Sequence, residues 1–272
     1  MDIRFTNVSF KYKGTRNEVL SHTTLAFTEN RIYGLLGKNG VGKSTMLYLA
    51  AGLLEPTEGT VRIAGEESKR RRPEILKEIF FVPEEFSLPN VRLSEYVSMN
   101  APFYPNFSRE MLDICLKDFG MSADVNLGEL SMGQKKKVFM SFALATGTRI
   151  LLMDEPTNGL DIPSKSQFRK AMSRMMDENR IVIISTHQVH DVEQLIDHVV
   201  IMSKDGVLMD KSMEEIAEEY VFEYRLMGDT ADAIYCEPSL QGTIVMAPRG
   251  DRGETQVNLE LLFNAIVSKS KE

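Results

Sequence analysis

Eight residues, Gly37-Lys38-Asn39-Gly40-Val41-Gly42-Lys43-Ser44, restrict the path of the backbone more tightly than any other stretch of this chain. They follow an apolar run at residues 32–36 that suits a buried strand, and they precede residues 45–51, which read as an apolar helix. Glycines here let successive backbone N–H groups turn inward without Cβ clashes, and the helix start adds positive potential at the same place. Strand, Gly-x4-Gly-Lys-Ser loop and helix in this order make a cradle for phosphates. Lys43 supplies a cation for β- and γ-phosphates, and the Ser44 hydroxyl is placed to ligate Mg²⁺. Two glycines, a lysine and a hydroxyl residue coincide by chance in roughly one chain of this length in a hundred. The spacing therefore predicts a nucleoside triphosphate site, with Gly37, Lys38, Asn39, Gly40, Val41, Gly42, Lys43, Ser44 and Thr45 as its wall.

Around this loop the pattern alternates strands and helices. Residues 2–9 and 22–28 alternate apolar and polar, as half-buried strands do. Tyr12 lies between them and suits equally an adenine face to stack on and a structural place at a strand end. Strands are expected at 60–64 and 78–82, and helices at 93–99 and 109–119, the second capped by Ser108. Between those strands the run Lys69-Arg70-Arg71-Arg72 reads as a solvated loop, with acidic lipid or a partner loop as the less common reading.

Leu130-Ser131-Met132-Gly133-Gln134 opens a helix to about residue 145, and Ser131 as its N-cap leaves the first-turn N–H groups as a second anion site. Residues 149–153 form an apolar strand closed by Asp154 and Glu155, as a strand covered on both faces would be. A helix at 163–176, a strand at 181–185 ending in Thr186-His187, and a hairpin across Lys204-Asp205-Gly206 follow. From about residue 217 short β-like segments at 222–227, 233–236 and 242–247, and a helix at 259–268, read as an appendage.

Composition narrows the class. The 272 residues are 43% hydrophobic and 26% charged, ordinary for a globular chain with a large core. A net charge of −7 argues against nucleic acid as a partner. No signal peptide is expected after Met1, and no run of about 18 apolar residues predicts a membrane span. Cys115 and Cys236 lack metal-ligand spacing and are expected to be buried small hydrophobes in a reducing compartment.

A phosphate loop followed by an apolar strand ending in Asp-Glu is the pairing that P-loop NTPases use, Asp154 for the Mg²⁺ shell and Glu155 to polarise a water. On these motifs residues 2–215 resemble the ATP-binding cassette (ABC) ATPase family. Leu130 to Gln134 looks like that family's signature motif, and Asn158-Gly159-Leu160-Asp161 like its D-loop. His187 looks like the switch histidine and Tyr12 like the adenine-stacking aromatic.

The resemblance implies an α/β fold: a P-loop NTPase (RecA-like) core with an N-terminal antiparallel β subdomain, an α-helical subdomain at about 86–146, and a small α+β appendage at 216–272. It implies a head-to-tail homodimer or heterodimer around two ATP molecules, each capped by Ser131, Gly133 and Gln134 of the facing chain. It assigns catalysis to Glu155, His187 and Lys43, and Mg²⁺ to Ser44, Glu84 and Asp154.

Two departures stand out. Met132 replaces a glycine common at the third signature position, and Glu84 stands where many members have glutamine. Glutamate there, and a β-rich tail ending in a helix, resemble the multidrug and ABC-2-type exporter branch.

The expected partner is then a transmembrane permease subunit, with this chain cytoplasmic and peripheral on the inner face of the cell membrane. Phe86, Leu88, Phe103, Tyr104 and Phe107 either line its docking groove or pack within the helical subdomain. The competing reading is a soluble ABC ATPase working on ribosomes or DNA; such relatives usually carry two cassettes or a long coiled-coil insertion, and neither is seen in these residues. Lys43→Ala is expected to abolish nucleotide binding in titration calorimetry; retained micromolar affinity would contradict the phosphate-loop assignment.

Overall fold

Ile150–Asp154 and Ile181–Thr186 are buried along their whole length, as strands covered on both faces must be. They form the middle of the largest sheet in the computed structural model, which describes residues 1–175, 179–226, 229–240 and 242–269. The chain runs through β1 (Asp2–Phe10), β2 (Leu20–Thr28) and β3 (Arg31–Gly37) into α1 (Lys43–Ala50). Next come β4 (Glu58–Ile63), β5 (Glu66–Glu67), α2 (Pro73–Leu76) and β6 (Ile79–Val82). The helices α3 (Leu93–Asn100), α4 (Arg109–Asp118) and α5 (Met132–Ala145) lead to β7 (Ile150–Asp154), α6 (Ile162–Met175) and β8 (Ile181–Thr186). The remainder is β9 (His198–Ser203), β10 (Gly206–Ser212), α7 (Met213–Glu219), β11 (Tyr220–Arg225), β12 (Tyr235–Ser239), β13 (Gly242–Pro248) and α8 (Leu259–Lys269).

The large sheet has the order β10-β9-β3-β8-β7-β6, parallel throughout except for the β9–β10 hairpin. An antiparallel sheet, β2-β1-β4-β5, covers one face with α1, and the C-terminal strands form a third sheet, β11-β13-β12. Alternation along each central strand divides the core. Tyr33, Leu35, Leu152 and Ile183 point to the side of Phe5, Phe27 and Leu47. Ile32, Leu36, Met153, Val182 and Ile184 point to the side of Phe142 and Phe168. This is the expected α/β P-loop architecture. The register pairs Leu36 with Thr186 and Asp154 with Ser185, so the carboxyl ends of β3, β8 and β7 lie side by side, where open α/β sheets hold ligands.

The helical region is organised by aromatic rings. Phe142 meets Tyr96, Tyr104, Phe107 and Phe80 at centroid distances of 5.2–6.3 Å. Phe86 stacks on Phe139 at 4.5 Å. Of the five apolar residues weighed for a docking surface, only Phe103 is largely exposed, at 69%; Leu88, Tyr104 and Phe107 pack on the core. Ring-on-ring packing holds Phe86, Tyr104 and Phe107 half-buried, with Tyr104 still lining an apolar groove beside Phe103. Among the four basic residues at 69–72, Arg71 reaches back to the Ala51 and Gly52 carbonyls beyond α1, while Lys69 and Arg72 pair with Glu55 and Glu66. The run is tethered, its first two residues in a 3₁₀ turn at Ser68–Arg70.

The C-terminal segments share the main core. Leu259, Leu261, Leu262 and Ala265 of α8 are buried together with Met209, Ile216, Phe222 and Met246. Between β10 and β11 lies α7, which crosses the junction at residues 215 and 216 and starts on a capping box: Ser212 Oγ accepts from Glu215 N at 3.1 Å, and Glu215 Oε2 from Ser212 N at 2.7 Å. Cys115 is buried as expected, but Cys236 is exposed. Its neighbours Tyr235 and Glu237 take the face under α8, where Glu237 Oε1 accepts from Asn264 Nδ2 at 2.9 Å, so the strand's period of two turns Cys236 to water. Residues 176 and 227, at the ends of two expected elements, lie outside the described residues.

Because α8 belongs to the shared core, Leu262→Ala is expected to destabilise the whole chain by about 2–5 kcal/mol, as a shift of the main unfolding transition in urea. A separate early transition confined to the tail, with the main midpoint unmoved, would contradict this.

Candidate nucleotide-binding site

The loop after β3 is shaped by its glycines. Gly42 caps α1 at φ 106°, and a Cβ there would lie 2.9 Å from Leu20 Cδ2 and 3.1 Å from the Val19 carbonyl oxygen. Gly40, at φ 81°, has open space where a Cβ would be, on the side from which a phosphate can approach. Lys43, 6% exposed, donates through Nζ to the Gly37 carbonyl at 2.8 Å and the Lys38 carbonyl at 3.4 Å, and stands 3.7 Å from Glu155 Oε1. Burial pushes its pKa down, and the charges of Glu155 and Asp154 oppose that shift. Tyr12 closes one wall: its hydroxyl shares a 3.0 Å hydrogen bond with Thr45 Oγ1, and its ring sits edge-on to Phe10.

The cleft so formed has a volume of about 470 Å³ and brings together Tyr12, Asn39, Gly40, Gly42, Lys43, Ser44, Thr45, Glu84 and Glu155, with Val19 beside them. Of the other expected wall residues, Gly37 and Lys38 contribute the carbonyls that hold Lys43, and Val41 is buried beneath the loop.

The two acids at the end of β7 differ in surroundings. Asp154 is 2% exposed and accepts from Ser185 Oγ. Burial raises its pKa; hydrogen bonds from Ser185 and Ser44 pull it back, while Glu155 and Glu84 add like charge. Glu155 lies in the left-handed region at φ 45°, which costs a non-glycine residue about 1 kcal/mol or more. Its surroundings over-determine that conformation. Glu155 N donates to the Ser185 carbonyl at 3.0 Å, and its own carbonyl accepts from Asn158 N at 3.2 Å and Lys136 Nζ at 2.8 Å.

Three groups then fix the Glu155 carboxylate: Thr186 Oγ1 donates to Oε2 at 3.0 Å, and His187 approaches Oε1 with its backbone N at 3.0 Å and its Nδ1 at 2.7 Å. Thr186 Oγ1 itself accepts from Gln188 N at 2.9 Å, which aims its proton at Glu155. A carboxylate only accepts, so Nδ1 carries the His187 proton and Nε2 is left for a ligand.

Ser131, Gly133 and Gln134 are not at this cleft. With Lys137, Gly159, Leu160, Asp161 and Ser164 they line a second cavity of about 420 Å³. Ser131 and Gln134 form a capping box, Gln134 Oε1 accepting from Ser131 N at 3.0 Å and Ser131 Oγ from Gln134 N at 3.4 Å. Met132 is 59% exposed, and nothing closer than the Gly159 carbonyl at 3.9 Å faces Gly133, so packing inside this chain does not require a glycine there. Glu84, in the first cleft, accepts through Oε1 from Asn158 Nδ2 at 2.9 Å, and Asn158 precedes Gly159 of the second cavity in the chain.

Motif reading missed Ser185, Thr186 and Lys136 as contributors, and the hydrogen bonds that Asn158 makes. Ser185 and Thr186 end an apolar strand, and polar residues at the ligand end of a parallel strand were the available signal. Lys136 sits among three consecutive lysines, with no local sign that the middle one is buried, and the bonds of Asn158 depend on tertiary placement.

The oxygens of Ser44, Asp154 and Glu84 suit Mg²⁺, which takes one or two carboxylates and completes its shell with phosphate and water. Among the described residues no three His, Cys, Asp or Glu side chains gather to hold a metal by themselves.

Residues 20–158 match the family model described as ABC transporter. The bacitracin transport ATP-binding protein BcrA of Bacillus licheniformis is 31% identical over 210 residues, 76% of this chain and 68% of that protein. The energy-coupling factor transporter ATP-binding protein EcfA2 of Staphylococcus aureus is 31% identical over 240 residues, 80% of this chain and 82% of that one. A solved dimeric bacterial ABC transporter cassette matches with a TM-score of 0.67 at 24% identity, covering 77% of this chain and 98% of that chain, a likeness of fold.

Proposed function

The chain belongs to the ABC transporter family as an ATP-binding, ATP-hydrolysing subunit, and from that premise we propose that it drives export through a separate membrane-spanning subunit by closing on ATP against a second cassette. The observation that carries this reading is the Glu155 carboxylate, held by Thr186 and His187 beside Lys43 at the edge of the cleft. A general base needs both an orientation and a free lone pair, and a carboxylate with three donors keeps acceptor capacity for a water.

In this proposal the adenine stacks on Tyr12, and the phosphates lie on Lys43 and the amides of residues 37–45. Ser44, Asp154 and Glu84 would hold Mg²⁺, which supplies charge neutralisation for the phosphates. Glu155 takes a proton from water as His187 Nε2 faces the γ-phosphate. Residues 1–215 act as the ATPase domain and 216–272 as an accessory region.

The signature residues line a cavity of their own, apart from this chain's phosphate loop, which supports a site completed by another cassette, identical or a sibling. The α5 N-terminus of that second chain would present Ser131, Gly133 and Gln134 to the γ-phosphate. An apolar groove of about 580 Å³, lined in part by Leu53, Ile79, Phe81 and Phe103, is offered as the seat of the membrane subunit. No helix among the described residues is long and apolar enough to cross a membrane, and the proposal assigns the spanning segments to the partner. Export rests on Glu84 and on the β-rich tail closed by α8.

Glu155→Gln is expected to keep ATP affinity within a few-fold and to lower turnover by roughly 10²–10⁴-fold; wild-type turnover would refute the general-base role. The chain is also expected to co-purify from membranes with an integral membrane protein. Recovery with ribosomes or DNA in its place would favour the soluble reading.

A further inference from the structure

Lys136 is a buried cation that the motifs leave without a task. It stands on the second turn of α5 and is 7% exposed, on a helix whose other buried side chains include Val138, Met140 and Phe142. A helical side chain leans toward the helix N-terminus, so the Lys136 stem runs back along the first turn. There Nζ reaches two backbone carbonyls, those of Glu155 and Asn158, both at 2.8 Å. An ammonium withdrawn from water is unfavourable unless it is well bonded, and an apolar residue would fill the same volume at less cost. What the lysine adds is two directed bonds to one short stretch of backbone.

That stretch is special. It begins at Glu155, whose φ of 45° is left-handed, and it ends at Asn158, whose side chain donates to Glu84 in the nucleotide cleft. The same α5 begins at Ser131 and Gly133 on the second cavity. A single ammonium therefore ties the helix that lines one cavity to the peptide that aims the acid of the other.

We propose that Lys136 is a positioning residue for hydrolysis, clamping the Glu155 peptide to α5 so that the carboxylate stays on Thr186 and His187. The inference rests on Glu155 acting as the base and extends that reading to a residue that touches no substrate. Lys43 keeps its bonds to the Gly37 and Lys38 carbonyls without Lys136, so turnover is expected to fall while binding is spared.

The test uses the full chain carrying Lys136→Met or Lys136→Gln, with kcat, KM, ATP affinity, and hydrogen exchange of residues 156–161 without nucleotide. Lys136→Met is expected to lower kcat about tenfold or more, with KM and ATP affinity within about threefold, and to speed exchange at 156–161 while α1 and β3 keep theirs. Lys136→Gln, with two N–H donors on a shorter neutral chain, is expected to recover part of the lost kcat. Wild-type kcat in the Met variant, a parallel loss of affinity and kcat, or unchanged exchange overturns the proposal. Should the Met variant fail to fold, the Gln variant decides: lowered kcat at unchanged affinity with faster exchange upholds it, and wild-type values in both overturn it. Absence of ATP binding by the wild-type chain would instead sink the nucleotide-site reading, leaving the exchange result to judge Lys136 alone.

Discussion

A carboxylate and an ammonium held as a long ion pair, both side chains buried, set the terms for the rest of this site. Lys43 and Glu155 are each 6% exposed at the side chain and stand 3.7 Å apart. At an effective dielectric near 20 such a separation corresponds to roughly 4 kcal/mol of attraction. Each partner is also held elsewhere, so the pair stays long. Lys43 is taken by the Gly37 carbonyl, and the Glu155 oxygens by Thr186 and His187. A polyphosphate, richer in charge than one carboxylate, can claim the ammonium without first breaking a tight pair, and the acid need not turn to meet a water. Electrostatic preorganisation of this kind requires no reorganisation at the moment of reaction.

The parallel sheet is what makes the arrangement possible. Three neighbouring strands end level, so the phosphate loop after β3, the acids after β7 and the Thr186-His187 pair after β8 arrive at one rim from distant parts of the chain. The capping end of α5 does not reach that rim; it opens onto a cavity with the residues that follow Asn158. One chain therefore carries two separate cavities, and the backbone of residues 155–158, fastened to Lys136, leads from one to the other.

Much of this was legible in the residues. Gly37 to Ser44 gave the loop, the apolar run before Asp154 gave the buried strand, and Ser131 gave the N-cap, because each rests on local rules of sterics or hydrogen bonding. Ser108 likewise caps α4, accepting from Met111 N at 3.1 Å. Less visible was anything set by tertiary company. The aromatic residues at 86, 104 and 107 read as surface or core with equal force; ring packing around Phe142 and Phe139 half-buries them, while Tyr104 still lines the apolar groove beside Phe103. Lys136 looks like its exposed kind until the fold turns it inward. The short helix α7 did carry a local sign in Ser212 and Glu215, but it lay where a change of character obscured it. That the tail shares the core of the cassette follows from α8 meeting Phe222 and Met246, a pairing no short-range pattern encodes.

A structure of the chain with Mg²⁺ and a slowly cleaved ATP analogue addresses the central claim most directly. The account predicts Lys43 Nζ on the terminal phosphates, the Glu155 carboxylate still bonded to Thr186 and His187, and the α5 N-terminus of a second cassette closing over the γ-phosphate. Phosphates bound elsewhere, or a Glu155 side chain that has left both partners to reach the ligand, would contradict it.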